Sequence, residues 1–146
     1  SRCYQAAYFR KEPLPVRADV RPLDMSYFQA VLDGYSLFHN PEYVEDRLKA
    51  GVIFGAFVDG RLAGFVGEHH EGSMGILEVL PEYRRRGLAM ALEGWLIRWH
   101  LERGWTPFCH VYEDNPASHA LQKKLGLTPA PEQVVWLWRP HGEGEE

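Results

Sequence analysis

The chain has 146 residues, a length that suits one domain with a sizeable core. Its composition, 45% apolar and 25% charged, is that of an ordinary globular protein. The net charge of -4 argues against broad nucleic-acid binding, which needs a basic face. Because no apolar run reaches the roughly 18 residues of a membrane span, we expect no membrane partner.

The N-terminal segment predicts two short strands joined by an irregular connection. Residues 3–10, CYQAAYFR, form the first strand, and residues 18–23, ADVRPL, form the second. The two prolines of KEPLPVR between them disfavour regular pairing. We therefore expect residues 1–15 to be an extra N-terminal strand and arm on a single domain spanning residues 1–146.

Two helices should follow these strands. Asp24 is a suitable N-cap for a helix whose apolar side chains, among them Val31 and Leu32, share one face. A second helix is predicted to start at Asn40 with proline at its first position, and to end at Gly51.

A three-stranded antiparallel meander is predicted next. Asp59 and Gly60 tolerate the positive φ of a tight turn, so residues 52–58 and residues 61–70 should form a hairpin. A second turn leads into a third strand over residues 74–80.

The remaining chain alternates helices and strands. The predicted elements are an amphipathic helix over residues 88–103, a buried strand over 107–113, a short helix over 115–125 and a last strand over 133–139. A strand, a long helix and a strand imply a crossover, so residues 74–80 and 107–113 should be parallel. Residues 141–146 are expected to fray.

The strand-to-helix junction VLPEYRRRGLAMAL, residues 79–92, concentrates positive charge. Arg84, Arg85 and Arg86 precede Gly87 at a helix N-terminus. About four amides there lack a partner within the helix, and the dipole is positive. Glycine lets an anion approach the backbone, and arginine offers bidentate donors to phosphate. The junction therefore predicts phosphate binding, with a solvated basic turn as the alternative.

The same stretch resembles the acyl-CoA signature of the GNAT superfamily of N-acyltransferases. Its core, Q/R-x-x-G-x-G/A, is met by Arg84, Gly87 and Ala89, and residues 113–127, EDNPASHALQKKLGL, resemble the second motif. The pairing of RRGLA with NPAS is closest to the glycine N-acyltransferase-like branch. The resemblance implies an α/β fold with a mixed, mostly antiparallel central sheet, a splayed parallel pair and helices on both faces.

The resemblance also implies where acetyl-CoA would bind. The turn should hold the pyrophosphate, and the pantetheine arm should lie along the strand before it. The implied cofactor contacts are Val79, Leu80, Arg84, Arg85, Arg86, Gly87, Leu88, Ala89, Met90, Asn115 and Ser118. For Asn115 and Ser118, helix capping and simple exposure are the competing interpretations.

The implied reaction is transfer of an acetyl group to a primary amine by direct attack within a ternary complex. A protonated amine cannot attack, and Glu78, on the strand beside the thioester, is the first candidate for the catalytic base. A half-exposed strand explains this glutamate equally well. The amide of Val79 or Leu80 is the candidate donor to the oxyanion.

Other titratable groups give weaker signals. Glu68, His69 and His70 end the neighbouring strand and are alternative candidates for the base, although at most one of the two histidines can face the cleft. Because only alternate side chains converge there, we expect no metal site. Cys3 and Cys109 match no metal or redox spacing and are expected to be free thiols in a reducing cytoplasm.

One position departs from the family pattern. Many members carry a tyrosine in the second-motif helix that protonates the leaving thiolate, whereas Gln122 stands here and cannot act as an acid. Solvent, another group such as the remote Tyr112, or no acid at all are the alternatives. Candidates for the acceptor pocket are Tyr35, Phe38, His39 and Tyr43, although core packing is the commoner role of such residues.

The leading interpretation is a cytoplasmic N-acetyltransferase that uses acetyl-CoA and acts on a small-molecule or peptide amine. An acyl-CoA-binding module without catalysis, serving as a sensor or regulatory domain, is the main alternative. A protein that binds polyanions through the arginine turn alone is a third. Family members often dimerise, so a homodimer is one candidate assembly.

Overall fold

The computed structural model describes residues 2–12, 16–37 and 39–135, which form seven strands and four helices. The strands are β1 (Arg2–Ala7), β2 (Asp19–Pro22), β3 (Ile53–Val58), β4 (Arg61–Glu68), β5 (Met74–Val79), β6 (Phe108–Tyr112) and β7 (Thr128–Val135). The helices are α1 (Phe28–Gly34), α2 (Pro41–Lys49), α3 (Leu88–Glu102) and α4 (Pro116–Leu125).

These strands form one mixed sheet with the order β2-β3-β4-β5-β6-β1-β7. Among the described strands, β5 and β6 are parallel neighbours and the other adjacent pairs are antiparallel. One core joins the sheet to α3 and α4, and a second joins its opposite face to α1 and α2. The predicted α/β fold, with a mostly antiparallel sheet and helices on both faces, is confirmed.

Short-range signals in the sequence account for several element ends. Asp59 and Gly60 have φ values of 51° and 78°, as the predicted hairpin requires. Asn40 Oδ1 accepts a hydrogen bond of 3.1 Å from the Tyr43 amide and caps α2. Asp24 caps a 3-10 turn, Met25–Tyr27, that precedes α1 rather than capping α1 itself.

The ends of the chain pair in a way that the sequence did not predict. β1 lies between β6 and β7, antiparallel to both. β7 begins at Thr128 rather than at residue 133, because β1 supplies a partner for this earlier stretch and an edge strand tolerates its prolines. Residues 136–139 of the predicted strand and the tail at 141–146 lie outside the described residues.

The parallel pair separates almost as soon as it forms. β5 and β6 share one bridge, Met74 with Cys109. The pairing of β5 with β4 then shifts register through a bulge at Ile76, whose φ is 50°. A bulge bends its strand and increases its twist. The second half of β5 therefore has β4 on one side and, among the described residues, no strand on the other.

Every helix in the described part of the chain is too short or too polar to cross a bilayer.

The insertion of β1 predicts an unusual pattern of hydrogen exchange. The amides of Tyr4 and Ala6 should exchange slowly although they lie near the N-terminus, because β1 is paired on both sides. Amide exchange measured by NMR should show Tyr4 and Ala6 to be about as protected as the amides of β4, whereas the amides of the edge strand β2 should exchange faster. Rapid exchange at both positions in a sample with a protected β4 would contradict the observed strand order.

Candidate active site

The turn between β5 and α3 presents unpaired amides to solvent. Arg85 and Gly87 have positive φ values of 67° and 75°, and Arg86 between them does not. Alternation of this kind directs successive N–H groups into a concavity that binds anions. No side chain caps α3 at Gly87, so the first amides of the helix have no partner within it. The turn is therefore suited to a phosphate group.

The three arginines of the turn have different surroundings. The Arg84 Nε donates to the Val79 carbonyl at 3.0 Å, and its Nη2 lies 3.6 Å from Glu78 Oε2. The Arg86 guanidinium lies 5.5 Å from the centre of the Tyr83 ring. Arg84 thus fastens the turn to the end of β5, while Arg86 stays exposed at the anion-binding concavity, as does Arg85.

Val79 lies on the open side of β5, at the end of the strand. The Leu80 amide donates to the Ala63 carbonyl at 2.8 Å. Backbone groups of successive residues alternate between the two sides of a strand, so those of Val79 face away from β4. The bond from Arg84 to the Val79 carbonyl has this direction. Of the two predicted oxyanion donors, the Val79 amide faces the split, whereas the Leu80 amide is already used within the sheet.

Glu78 is held on the opposite face of the sheet from α3. Its Oε1 accepts hydrogen bonds from the amide and the hydroxyl of Ser36, at 3.0 and 2.9 Å. Ser36 follows α1, so these bonds tie β5 to the connection between α1 and α2. The Glu78 side chain is 12% exposed. The sequence did not predict the role of Ser36, because a contact across 42 residues leaves no local pattern.

Two β6 side chains project toward the face that carries Glu78. Cys109 and Val111 belong to the core under α3 and α4, so His110 and Tyr112 point the other way. His110 Nδ1 lies 3.8 Å from Glu71 Oε2, and burial lowers the pKa of His110 while Glu71 opposes that shift. Sequence reasoning missed His110, although strand alternation from the apolar Cys109 and Val111 indicates its face.

Tyr35 lies within electrostatic range of Glu78. Burial raises the pKa of Tyr35, and the neighbouring groups of Tyr43, Glu78 and Tyr112 raise it further, which places Tyr35 among them. We call Tyr35, Tyr43, Glu71, Glu78, His110 and Tyr112 the tyrosine cluster. His39 is exposed, and Phe38 lies outside the described residues.

Glu68, His69 and His70 bond to different parts of the structure. Glu68 Oε2 bonds His100 of α3 at 2.7 Å, whereas His70 pairs with a carboxylate of α2 at 2.9 Å. His69 bonds the Tyr43 hydroxyl. No group of three or more potential metal ligands occurs among the described residues.

The start of α4 shows how its predicted ligands are used. Asn115 Oδ1 accepts a hydrogen bond of 3.1 Å from the Ser118 amide and caps the helix. Capping occupies only the carbonyl oxygen of Asn115 and leaves its NH2 group for another partner. A cofactor contact by either residue stays a prediction.

A buried polar pair joins α3 to α4 beneath this site. Gln122 Nε2 donates to Glu93 Oε1 at 3.0 Å, and the two residues are 6% and 4% exposed. Glu93 Oε2 and Gln122 Oε1 are buried without a hydrogen-bond partner. Burial raises the pKa of Glu93 from 4.5 to about 7, against a lowering by the bond from Gln122. Cys3 and Cys109 are both buried.

Residues 17–127 match the family model for the acetyltransferase (GNAT) family. This match covers most of the sequence, so the chain belongs to that family.

Solved structures of other proteins share the fold. A Drosophila protein superposes with a TM-score of 0.74 at 22% identity, covering 88% of this chain and 48% of that one. A GNAT acetyltransferase from Novosphingobium aromaticivorans gives 0.72 at 25% identity, covering 90% and 60%. The aminoglycoside N-acetyltransferase AAC(6')-Iy, in complex with CoA, gives 0.67 at 20% identity, covering 88% and 99%. The chain thus spans about half of the first protein and three fifths of the second. No protein of curated function matches it.

The buried pair predicts how the free energy of unfolding depends on pH. Because the folded-state pKa of Glu93 is raised from 4.5 to about 7, its stabilising contribution is complete below about pH 4.5 and is lost as the pH rises through about 7. Urea unfolding should show this loss as about 3 kcal/mol in the native protein, since one pKa unit is worth about 1.4 kcal/mol, and Glu93→Gln should remove it.

Glu102→Gln makes the same change at an exposed position of α3 and serves as the control. If native protein and Glu93→Gln lost stability in parallel between pH 4.5 and 7, the assignment of a raised pKa to Glu93 would be wrong.

Proposed function

We propose that this protein transfers the acetyl group of acetyl-CoA to a primary amine by direct attack within a ternary complex. The observation that carries the proposal is the combination of an uncapped, arginine-rich helix N-terminus with an unpaired strand beside it, in a chain of the acetyltransferase (GNAT) family. A basic turn alone is compatible with simple solvation, and an open strand alone is compatible with pairing to another chain. Together they offer a diphosphate site that continues into an extended backbone-lined groove.

The proposed coenzyme A contacts follow the chain from β5 into α3. Arg85, Arg86 and the amides from Gly87 onward take the diphosphate. The open side of β5 faces the pantetheine arm, whose amides can bond backbone groups of that strand, although the Val79 carbonyl already accepts from Arg84 Nε. The remaining proposed contacts are Leu80, Arg84, Leu88, Ala89, Met90, Asn115 and Ser118.

Glu78 is the proposed base. An amine with a pKa near 10 is almost wholly protonated at neutral pH, so its proton must be removed before attack. The two bonds from Ser36 hold one carboxylate oxygen of Glu78 and leave the other, Oε2, turned toward Arg84. The Val79 amide, on the next residue, is the proposed donor to the oxyanion.

The tyrosine cluster supports a cationic acceptor with an apolar or aromatic part. Tyr35, Tyr43 and Tyr112 offer ring faces, and Glu71 and Glu78 offer negative charge. Burial acts to raise the pKa of Glu71, but the hydrogen bond from Ser73 and the neighbouring His69 and His110 lower it overall. Named relatives act on different amines: AAC(6')-Iy was crystallised with a CoA-aminoglycoside bisubstrate analogue, and another neighbour is a ribosomal-protein-alanine N-acetyltransferase.

Within the family, the pairing of the RRGLA and NPAS motifs favours the glycine N-acyltransferase-like branch.

One observation favours a second function, an acyl-CoA-binding module without catalysis: Gln122 stands where many relatives have a catalytic tyrosine. Thiol release from acetyl-CoA in the presence of tyramine, kanamycin or an alanine-starting peptide separates the two functions. Turnover with any of them excludes the module.

Charge reversal in the turn should weaken cofactor binding. Arg86→Glu places a negative charge at the proposed diphosphate site, and loss of a charge-assisted bond worth about 1.5–3 kcal/mol predicts an acetyl-CoA Kd at least tenfold higher. Isothermal titration calorimetry measures this change. The control, Arg17→Glu, alters the net charge equally at an exposed position before β2. Equal affinities of both variants and the native protein would remove the basis of the proposal.

Removal of the base should slow the reaction without affecting cofactor affinity. Glu78→Gln keeps the side-chain shape and should lower kcat by roughly a hundredfold to ten-thousandfold. Ser36→Ala, which removes one of the two bonds to Glu78 but keeps the carboxylate, should have a smaller effect. Steady-state kinetics with the best acceptor of the screen tests both. Full activity of Glu78→Gln would assign the base to another residue.

A further inference from the structure

The Glu93–Gln122 pair lies beside the split between β5 and β6, partway along α3. Glu93 is the sixth residue of α3, roughly 8 Å along the helix from its first residue. α3 connects the two parallel strands, so it runs antiparallel to β5, back toward the bridge at Met74. A pantetheine arm that starts at the α3 N-terminus and follows β5 runs in the same direction. Its sulfur end, which the proposed oxyanion donor at Val79 places beside the end of β5, therefore lies between Val79 and the level of Glu93.

Cys109 of β6 gives a second observation of where Glu93 lies. Glu93 raises the pKa of the Cys109 thiol, after the larger effect of burial. Cys109 is the β6 residue of the single parallel bridge. Glu93 therefore lies close to the point where the two strands part, on the side of the sheet that carries α3 and α4.

The pair contains two buried oxygens that nothing in the described chain satisfies. Glu93 Oε2 and Gln122 Oε1 have no hydrogen-bond partner, although both residues are more than nine-tenths buried. A buried polar atom without a partner costs about 1–3 kcal/mol. A proton on Glu93 Oε2 changes this atom from an unsatisfied acceptor into a donor. That donor needs an acceptor, either Gln122 Oε1 or an incoming group.

The charges around Glu93 favour the neutral acid. The Cys109 thiol on β6 is also held neutral by burial, and the group that α4 presents is the uncharged amide of Gln122. No cation contributes to the pKa of Glu93. With a pKa of about 7, Glu93 can both hold and release a proton near neutral pH.

We propose that Glu93 is the catalytic acid that protonates the departing sulfur of coenzyme A, with Gln122 orienting its carboxyl group. This inference rests on the proposed function. As the tetrahedral intermediate collapses, the oxyanion re-forms the carbonyl, the C–S bond breaks and its electron pair goes to sulfur. The sulfur then takes the proton from Glu93 Oε2, the attached nitrogen releases its extra proton to solvent to give the neutral amide, and the Glu93 carboxylate regains a proton from solvent. Gln122 is a positioning residue, since its Nε2 holds Oε1 and leaves Oε2 to act.

An NMR titration tests the proximity of Glu93 to the sulfur without requiring an acceptor. In protein labelled with 13C at the glutamate side-chain carboxyl carbon, the Glu93 signal is identified by its loss in Glu93→Gln. CoA and desulfo-CoA, which lacks only the sulfur, are compared. Both should bind, and only CoA should change the pH midpoint of the Glu93 signal. Equal midpoints in the two complexes would overturn the inference and leave the proposed function standing, whereas failure of both ligands to bind would overturn both.

A leaving-group comparison tests the catalytic step itself. Hydroxylamine serves as a small amine that needs no shaped pocket, with acetyl-CoA or acetyl-seleno-CoA as donor. Glu93→Gln should lose roughly a hundredfold in kcat with the thioester and little with the selenoester, because a selenolate leaves without protonation. Glu93→Asp, which keeps an acid, should recover part of the rate. Equal losses with both esters, or no acceleration of either by the native protein, would overturn the assignment.

Discussion

The separation of β5 from β6 is the constraint on which the rest of the structure depends. A single bridge, between Met74 and Cys109, joins them before the bulge at Ile76 bends β5 away. Ile76 adopts a φ of 50°, a costly conformation for a β-branched residue, and the packing around it must hold it there. The separation leaves backbone groups at Val79 without a strand partner, although a buried backbone needs partners. A ligand with amides along its length can form hydrogen bonds with these backbone groups.

In the proposed function, the two faces of the sheet carry different parts of the reaction. On one face, α3 brings its uncapped N-terminus and the Glu93–Gln122 pair toward the split. On the other face, Ser36 holds Glu78 within the tyrosine cluster. The proposed donor and acceptor therefore approach the same stretch of β5 from opposite sides. Alternation of side chains along one strand is sufficient to give each face its own chemistry.

Local sequence patterns predicted much of the fold, and long-range contacts account for what they missed. The Asp59-Gly60 turn and the Asn40 cap depend on neighbouring residues, so their patterns were sufficient. The position of β1 depends on pairing with strands about 100 residues away, Gln5 with His110 for example, which no local pattern records. Glu93 was missed because a single glutamate in an amphipathic helix resembles a solvent-facing residue until its burial against α4 is known.

The central claim is that the turn at Gly87 and the open strand at Val79 form one continuous site for coenzyme A. A 15N NMR titration of the protein with CoA and with ADP tests it most directly. The account predicts that CoA shifts the amides of both Gly87 and Val79, whereas ADP, which lacks the pantetheine arm, shifts that of Gly87 alone. If CoA at millimolar concentration shifted neither amide, or shifted Gly87 and left Val79 unchanged, the continuous site would be contradicted.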